Sequence, residues 1–216
     1  MAKFKDALID QITQTPVDTL HLPEGIDLNF HFYHFMSADE NAKQSVNKYS
    51  RDAPLHVAIR SESTQLVSLL IAKGASVNIQ NGLGDTPLHV AARCGLKDIL
   101  ELLLKEGNVE TEIRNLKGLL PMHVAILNGQ LACLRLFKRF KAKFDQTNGD
   151  SPLRYAIIAE NDDIIDYCLR NGAAIQEQPD TWNMARDNFD IGVRIMSFNS
   201  KRNEQFKGKF KLVSKI

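Results

Sequence analysis

The sequence has few cysteines, few aromatic side chains and almost no net charge. Three cysteines in 216 residues, odd in number and widely spaced, exclude a disulfide framework and indicate a reducing compartment. A formal net charge of +1 excludes a globally basic nucleic-acid-binding protein. No apolar run approaches the ~20 residues that cross a bilayer, and no secretory signal is visible. We therefore expect a cytoplasmic, monomeric protein.

One short motif occurs four times. Residues 52–58 read DAPLHVA, 85–91 DTPLHVA, 119–125 LLPMHVA and 150–156 DSPLRYA. Their prolines, Pro54, Pro87, Pro121 and Pro152, lie 33, 34 and 31 residues apart. Such a period indicates units that stack on their neighbours, because one unit of this size cannot bury its apolar face alone.

Each repeat has a half of fixed length and a half of variable length. Every proline is followed 20 residues later by the end of its unit, at Gly74, Gly107, Lys141 and Gly172. The connections to the next proline are 13, 14 and 11 residues. An extra residue would turn the buried face of a helix by about 100°, whereas a surface loop tolerates it. The fixed half is therefore predicted to be a helix pair and the variable half a hairpin or loop.

Local signals predict where these helices begin and end. Each proline suits a first helical turn, and the hydroxyl of Thr86 or Ser151 can cap that turn. Gly95 and Gly129 are expected to form left-handed turns between the two helices. The second helices carry apolar residues at helical spacing, among which Cys133 and Cys168 are expected in the core.

The motif resembles the ankyrin repeat, whose signature is T-P-L-H-x-A, and residues 86–91 match every fixed position. The resemblance covers roughly residues 48–175. It implies an all-α solenoid of stacked helix-turn-helix units with short β-hairpin loops. In the family, the motif histidines tie neighbouring repeats together. The resemblance therefore also implies structural rather than catalytic roles for the motif residues, which are Pro54, His56, Thr86, Pro87, His89, Pro121, His123 and Pro152.

The copies depart from the family pattern at several positions, so we expect lower local stability in repeats one, three and four. The departures are Ala53 and Leu120 for the hydroxyl residue, Arg154 for the histidine, Glu62 and Glu160 for the inter-helix glycine, and Lys141 for the terminal glycine.

The predicted organisation is four repeats between two caps. The repeats span about 48–80, 81–114, 115–145 and 146–175, and residues 176–198 form a degenerate fifth repeat whose second helix contains Ile191, Val193, Ile195 and Met196. Residues 1–47 form an N-terminal capping segment. Because residues 25–29 resemble residues 74–78, this segment is either a half-repeat with a 16-residue insertion or an unrelated helical cap.

Residues 199–216 form a basic tail with six basic side chains against one acidic side chain. Contact of residues 201–215 with nucleic acid or acidic lipid is one interpretation, and a solvated extension is the favoured one.

In the ankyrin family, partners usually dock on the concave face, made by the hairpin tips and the ends of the first helices. By alignment to each proline, the resemblance implies a protein-binding surface whose middle is apolar, with Cys94 beside it. The alternative is that the shortened third hairpin buries some of its leucines. The predicted surface consists of Tyr49, Asp52, Arg60, Leu83, Asp85, Arg93, Leu116, Lys117, Leu119, Leu127, Asn128, Asn148 and Ile158.

These observations predict a non-enzymatic adaptor that binds one or more proteins, with no cofactor, metal or small-molecule substrate. A second hypothesis is a secreted bacterial or viral ankyrin effector that acts on host proteins in the host cytosol. A third is an enzyme whose site lies in residues 1–47, where His31 and His34 could share a helix face and bind a metal. Incidental histidines in a capping segment are the favoured explanation of that cluster.

Overall fold

The computed structural model describes residues 22, 27–30, 32–33, 51–142, 151–171 and 190–198. The chain divides into two compact units, residues 1–142 and 143–216. Several predictions fall outside the described residues, namely those for Tyr49, Asn148, His31, His34 and the tail 199–216.

The described part of the first unit contains three pairs of short helices, with a proline at the start of each first helix, as the spacing predicts. The elements described there are β1 (Phe32–Tyr33), β2 (Arg51–Asp52), α1 (Pro54–Arg60), α2 (Thr64–Ala72), α3 (Pro87–Cys94), α4 (Lys97–Lys105), α5 (Pro121–Leu127) and α6 (Leu131–Arg139).

The helices of the first unit pack in two rows. The first helices α1, α3 and α5 contact one another in that order, and α4 lies between α2 and α6 in the second row. The residues after the three prolines, Leu55, Leu88 and Met122, are buried, as is Phe137 of α6. Helices of seven to nine residues are marginal in isolation, so packing between repeats supplies their stability.

The second unit contains α7 (Pro152–Ile158), α8 (Asp162–Arg170) and a helix over 190–198, which we call α9. The four residues predicted for the second helix of the fifth repeat, Ile191, Val193, Ile195 and Met196, all lie on α9. Ile191 and Ile195, spaced i and i+4, are buried on one face, whereas Val193 and Met196 are 49% and 54% exposed. Arg194 joins α9 to α8 by donating to Asp162 at 2.8 Å.

The prediction of hydroxyl caps was wrong. Ser151 makes no side-chain cap bond, and the Thr86 hydroxyl contacts Nδ1 of His89 at 2.8 Å. The ring three residues into the helix instead bonds back to the N-cap backbone, since the Thr86 N–H donates to His89 Nδ1 at 3.0 Å. The Ala53 N–H donates to His56 Nδ1 at 3.1 Å in the same way, so this bond forms at α1 without a hydroxyl at the N-cap.

Residues 27–30 are arranged like the end of an ankyrin unit. The Asn29 side-chain oxygen accepts from the Ser76 N–H at 2.7 Å, and the equivalent oxygen of Asn78 accepts from the Glu110 N–H at 2.9 Å. Leu28 is buried, as Val77 is. The N-terminal segment therefore bonds to repeat one as repeat one bonds to repeat two.

The predicted 16-residue insertion lies between the two strands β1 and β2. Phe32 pairs with Asp52 across the short β1–β2 sheet, 20 positions apart, whereas Asn81 bonds to Asp85 only four positions away. The difference equals the 16-residue insertion inferred from the sequence. Together with the bonding of Asn29, this pairing favours the half-repeat over an unrelated cap.

Among the described residues, three that are not glycine occupy left-handed turns, and Glu62, Lys141 and Glu160 have φ values of 57°, 58° and 48°. Gly95, at the inter-helix turn equivalent to those of Glu62 and Glu160, has a φ of 72°, and Gly74, at the position equivalent to Lys141, has a φ of 91°. A side chain at such a position costs roughly 1–2 kcal/mol.

We expect Glu62→Gly to raise the free energy of unfolding by about 1 kcal/mol, because it relieves this strain and the exposed side chain loses little packing. Urea unfolding followed by circular dichroism measures the change. Glu62→Ala is the matched control, which removes the charge but keeps Cβ. An equal gain from Glu62→Ala would show that charge, and not backbone strain, lowers stability here.

Candidate protein-binding site

A buried carboxylate stands before each of the first two helix pairs. Asp52 and Asp85 are 3% and 0% exposed. Arg60 Nε lies 3.0 Å from Asp52 Oδ2, and Arg93 Nη1 lies 2.6 Å from Asp85 Oδ2. Each arginine comes from the last turn of the helix that follows, so the pair ties a hairpin to the end of its first helix.

The second oxygen of each carboxylate bonds to the next hairpin. Asn81 Nδ2 donates to Asp52 Oδ1 at 2.7 Å, and Asn115 Nδ2 donates to Asp85 Oδ1 at 2.8 Å. The Asn115 side-chain oxygen then accepts the Lys117 and Leu119 N–H groups, both at 3.0 Å. A single carboxylate therefore fixes two successive hairpin tips.

This arrangement corrects the sequence prediction for Asp52 and Asp85, which were placed on an exposed binding face. Both side chains are buried and both of their oxygens are occupied. Burial alone would raise the pKa of Asp85, but the hydrogen bonds from Arg93 and Asn115 outweigh it and hold that pKa below its usual value.

The motif histidines also link adjacent repeats. His56 Nε2 donates to the Asp85 carbonyl and His89 Nε2 to the Leu119 carbonyl, each at 2.9 Å. Since Nδ1 accepts the cap amide, each ring must be neutral to make both bonds. Burial lowers the pKa of His56 to about 4 and lowers that of His89 as well. In the third repeat, His123 Nδ1 faces the Leu120 N–H at 3.4 Å.

The third repeat lacks the ion pair. Leu119 and Leu127 stand two residues before and six residues after Pro121, the positions that Asp85 and Arg93 hold relative to their own proline. Both leucines are half-buried. A polar pair in two repeats is thus replaced by an apolar pair in the third.

The neighbouring hairpin tips add apolar surface. Leu116 is 80% exposed, and its N–H donates to the carbonyl of the partly exposed Leu83 at 3.0 Å. The two tips approach closely, since a Cβ added at Gly84 would meet Leu116 N at 2.7 Å. We call this surface the hairpin face. It comprises residues 82–84 and 116–119 with Arg60, Arg93, Cys94, Leu127 and Asn128 at the ends of α1, α3 and α5.

The cysteines take the places that the sequence predicts. Cys94 is exposed on the hairpin face, whereas Cys133 and Cys168 are buried. Burial raises the pKa of the Cys133 thiol to about 11, which suppresses its reactivity. Ile158, in the second unit, is 45% exposed.

An open groove of about 560 Å³ lies between the second helices and not on the hairpin face. It is lined by Ser68, Asp98, Glu101, Leu102, Lys105 and Glu106. Its central carboxylate, Glu101, is paired with Lys105 at 3.1 Å.

Two absences apply to the described part of the chain. No group of three or more histidine, cysteine or acidic side chains is arranged there to hold a metal ion. Among the described helices, none combines the length and apolar character that a membrane span requires.

Stacked helix pairs joined by hairpins define a repeat-protein scaffold, and comparison with known proteins identifies its class. Residues 28–115 match a family model described as ankyrin repeats in three copies. This part of the chain therefore consists of ankyrin repeats. It is 30% identical over 139 residues to the mouse (Mus musculus) protein called B-cell lymphoma 3 protein homolog.

The similarity to that mouse protein is partial in length. The alignment covers 62% of this chain but only 31% of the mouse protein. The fold is also that of the crystal structure of the ankyrin repeat domain of Bcl-3, described as a unique member of the IkappaB protein family. The TM-score is 0.73 at 23% identity, covering 88% of this chain and 85% of that one.

Stability should fall as the pH drops from 6.5 towards 4. The unfolded state binds a proton at His56 near the ordinary pKa of 6.5, but the folded state does so only near 4, so protons favour unfolding between these values. His56 alone accounts for about 2 kcal/mol by pH 5. Urea unfolding at pH 7.5 and 5 measures this loss. His56→Asn should be less stable at pH 7.5 yet less sensitive to pH, and an unchanged pH dependence would contradict the assignment.

Removing the shared carboxylate should be costly. We expect Asp85→Ala to lower the free energy of unfolding by about 3 kcal/mol, because Arg93 and Asn115 both lose their acceptor. Chemical denaturation measures the change. Asp98→Ala, at an exposed carboxylate in the first turn of α4, serves as control and should cost less than about 1 kcal/mol. Equal losses would contradict the linking role of Asp85.

Proposed function

We propose that the chain is a non-enzymatic interaction module that binds a protein partner through the hairpin face. The observation that carries the proposal is the exchange in repeat three. There Leu119 and Leu127 replace the Asp–Arg pair beside Leu116, which is 80% exposed. Exposed apolar side chains grouped on one surface of a folded domain are typical of an interface.

The polar network behind this face supports the proposal. Asn115 and Asp85 hold the third hairpin through hydrogen bonds of 2.8–3.0 Å, so its tip is fixed before any partner arrives. A preorganised surface loses less conformational entropy on binding, which favours affinity. Any further output of the chain, by blocking, sequestering or bridging, then depends on the partner.

The competing hypotheses rest on other parts of the sequence. The metal cluster proposed for an enzyme, at His31 and His34, lies outside the described residues. A role as a secreted effector stays a prediction from the sequence, as does a cytoplasmic location. The ankyrin fold itself is a scaffold that presents surfaces to proteins, which favours the binding module over the enzyme.

The exposed thiol of Cys94 offers a direct test. A bulky polyethylene-glycol maleimide should react at Cys94 and spare Cys133 and Cys168, which are fully buried. Labelling should abolish affinity capture of protein partners from a cytosolic lysate by steric exclusion from the hairpin face. Capture is read by quantitative mass spectrometry against unlabelled protein.

The control is Cys94→Ser exposed to the same reagent, which should capture the same partners as the untreated chain. Circular dichroism should show that the labelled protein remains folded. Undiminished capture by the folded, fully labelled chain would exclude the hairpin face as the binding surface.

A further inference from the structure

We infer that the partner presents an acidic segment with an apolar anchor residue, and that the anchor docks at the Leu119–Leu127 pair. This inference rests on the proposed function and deepens it. The occupant is a segment of another protein, and its chemistry follows from the charges and the apolar groups that the hairpin face offers.

The charge of the face is of one sign. The helices α1, α3 and α5 contain no aspartate or glutamate, and neither does the stretch 113–120. In the stretch 79–86 the single carboxylate is Asp85, which is buried and engaged with Arg93 and Asn115. A protein that docks on the hairpin face must therefore not bring further positive charge to this region.

Two cations lie at the rim beside the leucines. Lys117 and Arg114 are exposed, and the Arg114 guanidinium donates to the Gly118 carbonyl at 2.7 Å, so it lies across the tip of the third hairpin. Arg60 and Arg93 are already matched by their own buried carboxylates. Carboxylates of a partner would meet the exposed Lys117, while its apolar side chain meets the leucines.

The apolar pair is placed where the repeat otherwise has a salt bridge. Asp85 and Arg93 approach to 2.6 Å, and Leu119 and Leu127 occupy the same two repeat positions. Placing leucines there interrupts the polar row between the repeats and leaves apolar surface partly in water. That surface is the one location on the described hairpin face where an apolar anchor meets two leucines backed by a fixed hairpin.

The comparison of repeat three with repeat two also suggests a variant in which repeat three regains the Asp–Arg pair. Leu119→Asp with Leu127→Arg rebuilds the pair found in repeats one and two, so it should keep the fold. Its circular dichroism and thermal midpoint should match the parent chain. Leu116→Gln changes a side chain that is 80% exposed and is the second variant, chosen because it cannot disturb the core.

The probe is a phage-displayed library of random 12-residue peptides, selected on the parent chain. Enriched peptides should carry aspartate or glutamate within a few positions of leucine, isoleucine or phenylalanine. A synthetic consensus peptide, measured by fluorescence anisotropy, should bind the Leu119→Asp/Leu127→Arg double variant at least tenfold more weakly, and the Leu116→Gln variant several-fold more weakly. Lys117→Glu should weaken binding too, and raising NaCl from 50 to 500 mM should reduce the affinity for the parent chain.

The outcomes separate the two proposals. Enriched peptides that are basic, or that bind the double variant as tightly as the parent, would overturn this inference but leave a protein-binding role standing. A further variant, Asp98→Lys/Glu106→Lys, alters the groove between the second helices. If the peptides bind this variant less well than they bind the Leu119/Leu127 double variant, the binding site is the groove and the inference is overturned. Failure to enrich any peptide over the unselected library would overturn the inference, whereas the Cys94 labelling test judges the proposed function by itself.

Discussion

A buried carboxylate shared between neighbouring hairpins is the interaction on which the first unit depends. Asp85 accepts from Arg93 at the end of its own first helix and from Asn115 in the next hairpin. The His56 ring reaches the backbone of the same residue from the preceding repeat. A charged group can be buried here because the oxygens of its carboxylate find partners. Helix packing stabilises the stack, and this network positions the hairpin tips.

The proposed binding surface is an exception to that network. Two residues before and six residues after the motif proline, repeats one and two carry an aspartate and an arginine that form an ion pair within the repeat. Repeat three has Leu119 and Leu127 at these two positions. The third hairpin tip nevertheless stays fixed, because Asn115 is held by the carboxylate of repeat two. Repeat three thereby presents apolar surface on a hairpin tip that its neighbour keeps in place.

Much of the scaffold could be predicted from the sequence, and the site only in part. The constant 20-residue spacing predicts helix pairs and places Lys141 at the end of its unit, and alignment with Gly95 places Glu62 at the turn between its helices. The structure finds both positions left-handed. The burial of Asp52 and Asp85 was missed, since alignment to a surface position says nothing about side-chain partners. The signal was present: in both repeats an arginine follows eight residues after the aspartate, and the next hairpin carries an asparagine.

The central claim is that Leu116 and the leucine pair beside it contact the partner directly. Site-specific incorporation of a photo-crosslinking amino acid at Leu116, on the hairpin face, tests it against the same substitution at Leu102, in the groove between second helices. Irradiation in cytosolic lysate should yield a covalent adduct with the captured partner from position 116 and none from position 102. An adduct from position 102 alone would contradict the account.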